Sequence, residues 1–155
     1  MAHKKSSTNN SIVNKRARFD YELKDSIIAG IVLTGAETKS LRMGHGHLRG
    51  AFANIKDGEL WLYNSTINAT NLNRKHLTPE TESRGRKLLV KKKQLAELIA
   101  AKDQGLTIIP VRILTKGNFI KVEIAVGRGM KKYDKRDKIK KRDTDRDTAR
   151  AMARN

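Results

Sequence analysis

AFANIKDGELWLYNSTI, residues 51–67, is the stretch whose reading decides the fold. Ala51 to Lys56 and Glu59 to Ile67 are strand-like runs on either side of Asp57-Gly58. Asp-Gly between two such runs is a strong signal for a two-residue hairpin, because that turn needs φ > 0 at both central positions. Further along, Leu106 to Leu114 and Phe119 to Val126 flank Lys116-Gly117-Asn118 and read as a second hairpin. Hairpins join antiparallel neighbours, whereas a parallel sheet needs long crossovers. In the last run Ile120, Val122, Ile124 and Val126 point one way and Phe119, Lys121 and Glu123 the other, so Lys121 faces solvent or a ligand.

Upstream, Ile27-Ile28-Ala29-Gly30-Ile31-Val32-Leu33 is short and rich in β-branched residues and reads as a well-buried strand. Thr34 followed by Glu37 fits a capping box, which starts a short helix running to about Met43. Gly44 and Gly46 stop it. Residues 68–85 are rich in Asn, Thr, Arg and Gly, with Pro79 breaking any helix, and read as a long mobile loop. A brief strand from Arg86 to Val90 and a helix from Lys91 to Lys102 complete the pattern, with Leu95, Leu98 and Ile99 on one helix face. The class is mainly β with two or three short helices, an antiparallel OB-fold-like barrel over residues 19–129.

The two ends are different material. Residues 1–18 form a basic, flexible arm with Lys4, Lys5, Lys15, Arg16 and Arg18 and no acid. Residues 130–155 hold 11 Lys or Arg and 5 Asp but almost no bulky apolar side chain, so this tail is expected to be disordered when free. Lys138, Arg142, Arg146, Arg150 and Arg154 nevertheless recur every fourth residue, a basic ridge that forms a helix once phosphates neutralise it.

A net charge of +18 on 155 residues points to a polyanionic partner, since self-repulsion of that size destabilises a compact chain. Nucleic acid fits best, because each neutralised phosphate releases counterions. A membrane surface fits less well, for want of an amphipathic helix with a bulky apolar face. The longest apolar run, residues 27–33, is far short of the roughly 20 residues that span a bilayer. MAHKKSSTNN at the N-terminus has no apolar core, so no signal peptide is expected. There is no cysteine, which is compatible with a reducing compartment. His45-Gly46-His47 with His76 lacks the carboxylates that would complete a metal site, and no nucleophile–base set can be picked out. Neither an enzyme, a metal nor a cofactor is expected. Aromatic residues are only 5%, too few for a base-stacking platform, so the barrel should recognise the shape and backbone of folded RNA.

Several blocks, in this order, resemble the SmpB family of SsrA-binding proteins. They are Asn14-Lys15-Arg16-Ala17-Arg18, Ala29-Gly30-Ile31-Val32-Leu33-Thr34-Gly35, Glu37-Thr38-Lys39-Ser40-Leu41-Arg42 and Asp57-Gly58-Glu59. They continue with Arg86-Lys87-Leu88-Leu89, Gly105-Leu106-Thr107, Lys121-Val122-Glu123 and Lys131-Lys132-Tyr133-Asp134-Lys135-Arg136. The resemblance runs from about residue 12 to residue 142. It implies a bacterial cytoplasmic protein that binds the tRNA-like domain of transfer-messenger RNA and takes it to stalled ribosomes for trans-translation. The tail would occupy the empty mRNA channel near the decoding centre. Elongation factor Tu and alanyl-tRNA synthetase would be indirect partners acting on the same RNA, and the protein itself would be a monomer.

Carried onto this chain, the transfer-messenger RNA face would comprise Asn14, Lys15, Arg16, Arg18, Glu37, Lys39, Ser40, Arg42, Lys91, Lys121 and Arg128. The ribosome-facing tail would use Lys131, Lys132, Tyr133, Asp134, Lys135, Arg136, Lys138, Ile139, Lys140 and Arg142. Two departures stand out. Ile27-Ile28 replaces the family's Phe-Glu, and Lys91 stands where relatives often have His or Asn. A general ribosomal RNA-binding structural protein, or an RNA chaperone, would share the barrel, the basic face and the tail. A metal-dependent nuclease would need a carboxylate cluster.

Overall fold

The computed structural model describes residues 11–70 and 74–153, and the side chains of all of these except 132–134. Its strands are β1 (Ser11–Val13), β2 (Tyr21–Ile31), β3 (Gly46–His47), β4 (Phe52–Lys56), β5 (Glu59–Tyr63), β6 (Thr66–Ile67), β7 (Arg86–Leu89), β8 (Thr107–Leu114) and β9 (Lys121–Gly129). Its helices are α1 (Ala17–Asp20), α2 (Gly35–Arg42), α3 (Pro79–Glu82), α4 (Lys92–Asp103) and α5 (Lys132–Ala153).

The wall is a ring of antiparallel strands in the order β8-β4-β5-β7-β2-β9, closed by β9 pairing with β8. Closure leaves no open sheet edge in the ring, and β1 adds to the end of β8. The β4–β5 turn carries Asp57 at φ 53° and Gly58 at φ 73°, both in the left-handed region this hairpin demands. Irregularities between Leu23 and Ser26 in β2, and between Pro110 and Arg112 in β8, bend the two longest pairings. Ala29, Leu60, Leu62, Leu88, Ile108, Ile113, Val122 and Ile124 fill the interior, and Leu41 from α2 and Leu98 from α4 close over it.

Five readings of the sequence change here. The 27–33 run is not buried throughout: Ala29 is, while Ile28 is 45% exposed, because a barrel strand turns alternate residues outward. Pro79 does not break a helix but starts one, at the position where its missing N–H costs nothing. The described part of the 68–85 segment is pinned, with Glu82 accepting from the Ala69 amide at 3.0 Å. Gly46 is not a helix stop. It lies in β3, where an added Cβ would sit 2.9 Å from the Thr66 carbonyl oxygen, and Gly44 at φ 80° makes the turn alone. On α4, Leu98 is buried but Ile99 is exposed.

Candidate nucleic-acid interface

The surface is organised by a charge pair beneath it. Thr34 caps α2 with both arms of the capping box closed, the Glu37 amide donating to Thr34 Oγ1 at 3.3 Å and the Thr34 amide to Glu37 Oε1 at 3.3 Å. The same carboxylate is only 1% exposed and takes Arg84 Nε at 3.1 Å and Arg86 Nε on its other oxygen. Alternation along β7 turns Arg86 and Leu88 inward and leaves Leu89 outside. Fully enclosed, Arg86 donates to Ser65 O at 2.9 Å, Ser65 Oγ at 3.0 Å, Arg84 O at 3.1 Å, Thr81 O at 3.1 Å and Glu82 O at 2.9 Å. Burial alone would push the Glu37 carboxyl up, but hydrogen bonds and charge from Arg86 and Arg84 outweigh it and hold the carboxyl below its ordinary range. Burial also lowers Arg86, with Glu37 opposing it. One guanidinium thus joins α2, α3, β7 and the turn before β6.

This burial divides the residues that the sequence put together on α2. Lys39 is exposed, whereas Glu37 and Ser40 point into the barrel, since residues three apart on a helix share a face. There Glu37 caps and anchors the helix. Arg42 is at the surface, but its guanidinium clasps the β8–β9 turn, Nη1 reaching Thr115 O at 3.1 Å and Gly117 O at 2.9 Å and Nη2 reaching Asn118 O at 3.1 Å. That clasp fixes the turn leading into Lys121. Of Lys39 and Arg42, Lys39 is exposed and Arg42 is spent holding the β8–β9 turn.

Lys121 lies opposite Gly30 in the β2–β9 register. It meets Lys91 across an open groove of about 580 Å³ lined also by Ile28, Gly30, Leu89, Val90 and Gln94. Ile28 and Leu89, 45% and 52% exposed, give it apolar surface, and Lys91 and Lys121 give it positive charge. The two departures in sequence thus share one site. Such a groove can take a sugar or base face on its apolar surface and phosphates at its lysines. Arg128 is exposed at the other end of β9, opposite Glu22, about 23 Å from Lys121 at strand spacing, and belongs to a different part of the surface.

In the arm, Asn14 is buried. Its amide side chain donates to Pro110 O at 2.9 Å and its backbone to Val111 O at 2.8 Å, so it anchors the arm. Lys15, Arg16 and Arg18 are exposed, with the Arg16 guanidinium 5.9 Å from the Phe19 ring centre. Residues Lys132–Ala153 of the tail form α5, on which Arg136, Lys138, Ile139, Lys140 and Arg142 are exposed, and Lys131 is exposed just before it. Lys135 pairs with Asp20 at 3.1 Å. The side chains of Lys132, Tyr133 and Asp134 lie outside the described residues, as do residues 1–10 and Arg154. Among the described residues, no group of three or more His, Asp or Glu could hold a metal ion, and no helix is long and apolar enough to cross a membrane.

Arg86 is the residue that sequence reasoning passed over. Its signal was present: an arginine at an inward position of a strand whose next inward residue is Leu88.

Fold and surface together define a class, a small basic barrel with a cationic helix projecting from it, suited to gripping a polyanion along its outside. The SmpB protein family model matches residues 11–154, so the chain belongs to the SmpB family. An SsrA-binding protein of Gloeobacter violaceus is 41% identical over 142 residues, covering 91% of this chain and 92% of the relative. One of Exiguobacterium sibiricum is 44% identical over 144 residues, covering 90% and 88%. A chain in a solved structure described as "tmRNA-SmpB: a journey to the center of the bacterial ribosome" is 36% identical with a TM-score of 0.64, over 79% of this chain and 86% of that one.

Proposed function

We propose that this chain binds the tRNA-like domain of transfer-messenger RNA and carries it to stalled ribosomes for trans-translation. What supports this most directly is family membership over nearly the whole chain, with SsrA-binding relatives and a solved likeness whose description names both transfer-messenger RNA and the ribosome. The barrel face around Lys39, Lys91 and Lys121 takes the RNA. The tail, whose residues Lys132–Ala153 form α5, occupies the empty mRNA channel near the decoding centre. The protein acts as a monomer in the bacterial cytoplasm, by binding and not by catalysis. Elongation factor Tu and alanyl-tRNA synthetase act on the RNA it holds.

The test is an equilibrium titration against the tRNA-like domain with ordinary tRNA as competitor, at several salt concentrations. Strong preference for the tRNA-like domain is expected. Lys39→Ala with Lys121→Ala should weaken binding and flatten the log–log salt dependence by roughly 0.7–0.9 per lost phosphate contact. Equal affinity for both RNAs would overturn the reading in favour of a general ribosomal RNA-binding protein or RNA chaperone. An unchanged salt slope in the variant would place the RNA on another face.

A further inference from the structure

The arm and the tail meet. Met130 donates its amide to Asp20 O at 2.9 Å, Lys135 pairs with Asp20 at 3.1 Å, and Lys138 Nζ donates to Arg18 O at 2.9 Å. Lys135, Lys138 and Arg142 stand at i, i+3 and i+7 on α5, one helical face turned toward α1. Between that face and the arm is a cleft of about 290 Å³ lined by Lys15, Arg18, Phe19, Lys138 and Arg142. Four cations and no carboxylate line it. Asp20, the nearby acid, is held by Lys135. Four like charges around one small open space repel one another, and an anion between them removes that cost.

We propose that this cleft is a composite phosphodiester site, built half by the arm and half by the tail helix, so that RNA backbone seated in it fixes the direction in which the tail leaves the barrel. The inference rests on the RNA-binding reading above and adds one thing to it. Lys15 and Arg18, and Lys138 and Arg142, do not serve two separate partners but share one phosphate. Arg142 forms the outer wall, one turn beyond Lys138. Phe19 supplies an apolar side against which a sugar can lie. Because the helix is tied to the body near its start, neutralising the cleft stiffens the junction and leaves the rest of the helix free to reach a second surface.

The full-length protein is compared with three variants: Lys15→Gln with Arg18→Gln, Lys138→Gln with Arg142→Gln, and all four together. Glutamine at 138 keeps a donor for the Arg18 carbonyl and removes only the charge. Each is titrated across a range of salt against the isolated tRNA-like domain and, separately, against ribosomes. A shared phosphate predicts that either pair flattens the salt slope, and that all four changes together flatten it by roughly 0.7–0.9, less than the sum of the two pairs. The effect in the first titration assigns the phosphate to the tRNA-like domain, and in the second to ribosomal RNA. Slope losses that add across the pairs, or a tail pair silent in both titrations, overturn the composite site. Lys39→Ala with Lys121→Ala serves as reference. If that variant binds weakly while the cleft variants bind normally, the cleft alone is wrong and RNA binding by the barrel stands.

Discussion

Arg86 and Glu37 neutralise each other inside the barrel wall, and what it costs to separate them governs how acid and substitution act on the fold. Losing Arg86 leaves Glu37 to Arg84 but strips the donor from the carbonyls of Ser65, Thr81, Glu82 and Arg84, and a buried acceptor left unsatisfied costs about 1–3 kcal/mol. Arg86→Met should therefore lower stability by about 3 kcal/mol or more in urea unfolding, even though methionine fills similar space. Glu37 has a folded-state pKa below its ordinary value, so its stabilisation is complete above that value, 4.5, and is lost as pH falls below it through the folded value. Arg86 stays protonated throughout and adds no titration there. The wild-type urea midpoint should drop steeply with acid below about pH 4.5, and Glu37→Gln, weaker at neutral pH, should show a shallower drop. Parallel acid curves would mean another carboxylate controls acid unfolding. The capping half of Glu37 was legible because Thr34 is three residues away. Its ion-pair half was not, because Arg84 and Arg86 lie 47 and 49 residues on.

At the scale of elements, what could be read was what is local. The 57–58 turn, the capped α2 and the stop at Gly105 each depend on a few adjacent residues, and each formed where the pattern put it. The turn makes a quantitative case. Gly58 at φ 73° is in a conformation that costs an L-residue about 1–2 kcal/mol, and open space surrounds its missing Cβ. Gly58→Ala should therefore destabilise by about that much through backbone strain alone, read as a shift in the thermal midpoint, with RNA affinity at low temperature unchanged. A larger loss would show that the turn is packed against something. Non-local contacts were beyond the sequence. The β8–β9 pairing was legible as a hairpin, but nothing near β8 announces that β4 meets it at Ala53 and Ile108. Pro79 was misread because a proline that starts a helix and one that ends it look alike until the neighbouring cap is known. The residues expected together on α2 were sorted by helical phase, which turns Glu37 and Ser40 inward and Lys39 outward. The groove joining Ile28, Lys91 and Lys121 needs three strands and a helix to assemble.

For the whole molecule the question is how a net charge of +18 is distributed over what it does. Residues 130–155 hold 11 of the 34 Lys and Arg. If the chain were a general polyanion binder, deleting that segment would cut the salt slope for the tRNA-like domain by about a third. The geometry says otherwise. Beyond Arg142 the helix is exposed along its length, with only its first turns against the body, so the barrel-bound RNA meets the tail at the cleft or nowhere. Removing residues 130–155 should thus reduce the slope by roughly 0.7–0.9, one phosphate, and weaken binding only modestly at low salt. The same deletion should abolish peptide tagging in a reconstituted translation reaction on a message without a stop codon, because the tail cations other than Lys135, Lys138 and Arg142 have no other partner in this scheme than ribosomal RNA. Circular dichroism of the truncated protein checks that the barrel still folds, since among the described residues the hydrogen bonds and ion pairs that the body loses are the Met130–Asp20 backbone bond and the Lys135 and Lys138 contacts. Loss of RNA binding on truncation would mean that the tail, and not the face around Lys39 and Lys121, is what holds the RNA. Retained tagging would mean that the barrel alone suffices on the ribosome.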